Sequence, residues 1–63
     1  MSIEIGKSYI FNTDDSDMID YNGDEAFVIG HDVFGGIDMY CVCFSNGYVT
    51  GSILEEELTD FED

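Results

Sequence analysis

The chain has 63 residues, and its fifteen Asp and Glu face a single Lys and no Arg, for a formal net charge of -14. Nothing in it could neutralise phosphates or face an anionic lipid surface, which excludes direct nucleic-acid binding and a basic membrane-surface peptide. No apolar run approaches the roughly 18 residues that span a bilayer, the opening Met1-Ser2-Ile3-Glu4-Ile5 does not read as a signal peptide, and two cysteines are too few for a disulfide-stapled secreted scaffold.

A single cytoplasmic domain over residues 1–63 is therefore expected, near the lower size limit for folding alone. Hydrophobic residues at 44%, with five Phe and four Tyr, exceed what an acidic disordered tail carries. Along the chain, Ser8-Tyr9-Ile10-Phe11 reads as a first strand after Gly6. An acidic loop at about 12–25 follows, holding Asp14, Asp15, Asp17, Asp20, Asp24 and Glu25. Phe27-Val28-Ile29 is a short aromatic and β-branched strand ending at Gly30, and 31–38 reads as a loop.

Residues 39–44 alternate, with Tyr40, Val42 and Phe44 on one face and Met39, Cys41 and Cys43 on the other. Asn46-Gly47 then predicts a hairpin, with Tyr48-Val49-Thr50 as the returning strand. Residues 52–58 fit one helical or 3₁₀ turn, with Ser52 as its possible cap and acids in its first turn. The acidic end of the chain, residues 55–63, carries Glu55, Glu56, Glu57, Asp60, Glu62 and Asp63. Large side chains to fill a core are Tyr9, Phe11, Phe27, Tyr40 and Phe44.

These elements predict an all-β fold, a small antiparallel barrel of four to five short strands with one short helical or 3₁₀ turn before the last strand. The sequence resembles the SH3-like barrels in Ile5-Gly6-Lys7-Ser8-Tyr9, in Tyr21-Asn22-Gly23 leading into Ala26-Phe27-Val28-Ile29-Gly30, and in Tyr40-Cys41-Val42-Cys43-Phe44-Ser45-Asn46-Gly47 with residues 54–58. It looks particularly like small acidic single-domain proteins carried by phages and mobile elements of gut Firmicutes. That resemblance speaks to fold and to a bacterial host cytoplasm, and it carries over no active site.

Several constellations invite chemistry. Placing Gly23 at the sixth position of a calcium loop puts Met18 at position 1 and Ile29 at position 12, so an EF-hand fails. A looser cation site among Asp14, Asp15, Asp17 and Asp20 stands against a solvated loop as the plainer reading. Cys41 and Cys43 share a strand face but lack the further ligands of a structural zinc, His31 being the only other soft donor. They read better as small hydrophobes, or as part of a homodimer interface together with Met39. A chain this short leaves little room for a nucleophile, an oriented base and a pocket, so no enzyme and no cofactor are expected.

What remains is the single-sign field. A surface tuned only for solubility intersperses both charges, whereas this one does not. Duplex DNA carries one negative charge per about 1.7 Å of axis, and two carboxylate clusters on a small rigid body can imitate part of that line. The expected partner is a basic nucleic-acid-binding protein, a nuclease or other host defence enzyme, blocked in its groove by a phage or mobile-element inhibitor of the anti-CRISPR or anti-restriction type. Contact residues would be Asp14, Asp15, Asp17, Asp20, Asp24 and Glu25 in one patch, with Glu55, Glu56, Glu57, Asp60 and Glu62 in the other. The alternative is an SH3-like interaction module that binds a peptide or partner subunit through an aromatic surface.

Overall fold

A computed structural model describes residues 3–61. It is all-β: β1 (Ser8–Phe11), β2 (Glu25–Phe34), β3 (Ile37–Phe44), β4 (Val49–Ile53) and β5 (Leu58–Asp60), with 3₁₀ turns at Ile19–Tyr21 and Glu55–Glu57. Every pairing is antiparallel, in the order β4-β3-β2-β1-β5. No helix among the described residues is long and apolar enough to cross a membrane.

The predicted closure into a barrel is corrected. Among the described residues β4 and β5 are the free edges of one open sheet. The sheet is nevertheless coiled, and the register shows how. Val28 pairs with Val42 but Gly30 with Cys41, so Ile29 is an extra residue on β2. Tyr40 pairs with Ile53 but Val42 with Thr50, so β4 also carries an extra residue opposite Cys41. Bulges on both neighbours of one residue bend both strands and sharpen the local twist.

Coiling folds one face of the sheet on itself. That face supplies the core of Tyr9, Phe11, Ala26, Val28, Tyr40, Val42, Phe44, Ile53 and Leu58, with Ile3, Met18 and Tyr21 packed against it. Phe11 meets Phe44 edge-on at 5.2 Å and Tyr21 stacks on Phe44 at 4.5 Å, geometries that aromatic quadrupoles favour. The alternation expected for residues 39–44 is observed, with Tyr40, Val42 and Phe44 buried and Met39, Cys41 and Cys43 only half-buried on the outer face. Phe27 is not core. Ala26 and Val28 take the inward positions of β2, and Phe27 stands on the outer face 43% exposed.

The segment 31–38, expected as a loop, is instead the outer half of a long hairpin. β2 does not end at Gly30 but runs to Phe34, where Gly35-Gly36 turns the chain into β3. Both glycines have positive φ, 58° and 82°, as the tight two-residue turn that suits strand twist requires. The Asn46-Gly47 hairpin stands as expected, with Gly47 N–H donating to Phe44 O at 2.9 Å and Gly47 at φ 93°. Ser52 is not the cap of the second 3₁₀ turn. It belongs to β4, and Leu54 holds the cap position.

Candidate functional site

The acidic loop between β1 and β2 is pinned at its base. Asn22 Oδ1 accepts from Thr13 N–H at 2.9 Å and its amide donates back to Thr13 O at 3.0 Å. Gly23 N–H donates to Phe11 O at 2.8 Å and Phe11 N–H to Asp24 O at 3.0 Å, continuing the ladder past the end of β1. Within the loop, Asp15 N–H donates to Thr13 Oγ1 at 3.1 Å and Asp17 N–H to Asp15 Oδ1 at 3.0 Å. Such side-chain bonds to nearby backbone hold a turn that no ladder supports. A segment read from composition as a solvated loop is thus internally bonded.

Glu57 then joins this loop to the second 3₁₀ turn. Its Oε1 accepts from Leu54 N–H at 2.9 Å, satisfying the donor at the turn's start. Its Oε2 accepts from the buried Thr13 hydroxyl, and its backbone O accepts from Asn12 N–H at 2.9 Å. Residues 44 apart in sequence are locked together by one carboxylate. The consequence is a concavity of about 720 Å³ lined by Asp14 and Asp15 from the first acidic cluster and by Glu56 and Glu57 from the second, with Asn12, Thr13, Asn22 and Leu54 among its walls.

The other expected contact residues divide. Asp17 and Asp20 are exposed on the loop and Glu55 is exposed on the 3₁₀ turn, while Asp24 is half-buried at the loop's end. Glu25 stands apart on the outer face opposite Ile10. Asp60 lies on β5, where it lines a small cavity together with Lys7, Ser8 and Phe61. Glu62 lies outside the described residues. Sequence reasoning passed over Thr13 and Asn22, the two side chains that shape the concavity. The spacing Thr13-x-Asp15, a turn-forming pattern of a hydroxyl with an acid two residues on, was the available signal.

A second groove, about 490 Å³, lies between the hairpin and the second 3₁₀ turn. Its apolar lining is Ile37, Leu54 and Leu58, and its carboxylates are Asp38, Glu55 and Glu56. His31 stacks on Tyr40 at 4.7 Å and its Nε2 sits 3.0 Å from Asp38 Oδ1. The negative field is felt by Tyr40: burial pushes its phenol above the ordinary 10.0, and the Asp38 and Glu55 carboxylates push it further. Among the described residues no three His, Cys, Asp or Glu side chains converge on a metal-holding arrangement. Comparison with family models, with curated proteins and with solved structures finds no match to this chain.

Proposed function

We propose that this protein is a non-catalytic inhibitor that presents its carboxylates in place of phosphates to a basic nucleic-acid enzyme, in the manner of an anti-CRISPR or anti-restriction protein of phage or mobile-element origin. The observation that carries the reading is the joining of two sequence-remote acidic clusters through Glu57 and Thr13 into one concave face. Mimicry needs charges held at set positions, because a duplex is a rigid rod of phosphates and a floppy acidic tail would be ordered only at an entropic cost. The longest dimension, 27 Å, corresponds to about eight base pairs at 3.4 Å each. Steered association with a basic groove would be fast, and strongest at low salt.

The test is inhibition of a panel of purified CRISPR and restriction nucleases by the parent and by a D14N/D15N/E56Q variant. None of the three replaced carboxylates is a bond that joins loop to turn, although Asp15 Oδ1 does accept within the loop. Each lost pairing with a cation is worth about 1 kcal/mol or more once desolvated, so inhibition should weaken by about a hundredfold. A variant that inhibits as well as the parent removes the reading.

The interaction-module reading is favoured by one observation of its own. The outer face of β2, β3 and β4 leaves Phe27, Ile29 and Val49 between 43% and 50% exposed, and the meander with a 3₁₀ turn before its last strand supports an SH3-like arrangement. It expects F27S to abolish binding while D14N/D15N/E56Q leaves it intact.

A further inference from the structure

Among the described residues, no further strand pairs with the outer half of the β2–β3 hairpin. β1 pairs only with residues 25–27 of β2, and β4 reaches β3 only at Tyr40, Val42 and Cys43. Residues 37–39 therefore pair with β2 on one side and have no strand partner on the other among the described residues. A strand edge of this kind presents backbone donors and acceptors to whatever lies beside it. Here what lies beside it is the 490 Å³ groove, since Ile37 and Asp38 form one wall and residues 54–56 with Leu58 form the other.

We infer that this groove takes an extended peptide of alternating apolar and basic residues, added as a strand along residues 37–39. Three independent features converge on that occupant. The edge supplies backbone pairing, which gives an added strand its affinity without regard to sequence. Ile37 and Asp38 are neighbours on β3 and stand on opposite faces, so period-two geometry puts every second residue of the guest beside apolar Ile37 and the intervening ones on the Asp38 side, with Leu54 and Leu58 adding apolar lining. Asp38 and Glu56 border the groove, Asp38 also sitting 3.0 Å from His31 Nε2, so Lys or Arg at the intervening positions meets carboxylate while an acidic residue is repelled. Charge also argues against a second copy of this chain, because its own strands would bring another -14. The hairpin itself gains, since Val33, Phe34 and Ile37 stand 53–62% exposed on a two-stranded ribbon that is marginal in water alone. The inference does not depend on mimicry: it concerns the hairpin edge, whatever the concavity on the loop side covers.

The experiment is a titration of the full ¹⁵N-labelled chain with a capped octapeptide of alternating Val and Lys, followed by amide shifts. Shifts centred on residues 37–39 and 54–56 are expected, and the peptide with Glu in place of Lys should not bind. N-methylation of the peptide at alternate residues removes its edge-facing donors and should weaken binding by about tenfold. E56Q, with D38N as a second variant, should weaken the parent peptide by about threefold each. Binding by the N-methylated peptide within about twofold of the parent peptide would overturn the strand-pairing inference, as would shifts centred on residues 14–20, or no binding at millimolar peptide. Competition by duplex DNA plays no part in the readout, so this result and that of the nuclease panel are read separately.

Discussion

Both carboxylate oxygens of Glu57 are committed to the fold, which distinguishes it from the acids around it. Truncation in E57A strands the Leu54 N–H and the Thr13 hydroxyl, and should cost about 2 kcal/mol in urea unfolding. E57Q should retain most of that stability, because one amide oxygen still accepts from Leu54 and the amide NH₂ can donate to Thr13 Oγ1. E56Q, at an exposed side chain, should be neutral. The same contrast separates structure from binding, since E57A would disturb the concavity's shape where E56Q removes only charge. Tyr40 gives a second single-residue prediction. Its folded-state phenol holds its proton more tightly than the ordinary 10.0 of an unfolded chain. The associated stability is thus fully present below pH 10 and is lost as pH rises through the folded value. Unfolding measured between about pH 9 and 12 should show a decline for the parent that is smaller in Y40F.

At the scale of elements, the hairpins depend on backbone conformation more than on side chains. Gly36 has φ 82°, so G36A places a Cβ in a left-handed conformation and should cost about 1–2 kcal/mol, even though nothing lies within 4 Å of that Cβ. G51A is the control: open space surrounds its Cβ and its φ is not positive, so its stability should stay within about 0.5 kcal/mol of the parent. Comparable losses at both sites in thermal unfolding would mean that the turn's geometry is not what limits the hairpin. The hairpin also shows why β2 was legible only in part. Ala26 and Val28 alternate inward as a period of two demands, but the extra residue Ile29 shifts the phase, putting His31 opposite Tyr40 on the inner side. A strand whose pattern slips by one residue looks, residue by residue, like a strand that has stopped. Gly35-Gly36 between Phe34 and Ile37 is itself a hairpin signal, readable once the bulge is allowed for.

For the whole molecule, the net charge of -14 opposes folding and, under the proposed function, favours binding to a basic partner. Carboxylates crowded on a body of radius of gyration 10.7 Å repel one another in the native state more than in an expanded chain. Salt screens this within a Debye length of about 10 Å at 0.1 M, so the melting temperature should rise between about 20 and 500 mM NaCl. Attraction to a basic partner is screened by the same ions, so affinity should fall over that range. Calorimetric melts beside binding isotherms in matched buffers check both. A melting temperature that falls with salt would show that attraction, such as His31 with Asp38, outweighs repulsion in the folded state.

Composition and local pattern alone determined the all-β class, the two hairpin faces of residues 39–44, the Asn46-Gly47 turn, the 3₁₀ turn before the last strand, and the single-sign charge. Each is a property of a few neighbouring residues, governed by backbone sterics or by simple summation of charge. Tertiary structure decided what depends on residues far apart in the chain. Bulges flanking Cys41 coil the sheet without closing it, Phe27 is turned outward, and residues 31–38 become a hairpin whose edge has no strand partner among the described residues. Above all, Glu57 reaches Thr13 across 44 positions, so that Asp14 and Asp15 share a concavity with Glu56. No spacing in the sequence announces that contact, because it exists only once β5 pairs with β1, Phe11 opposite Leu58, and so sets the start of the loop beside the turn that precedes β5.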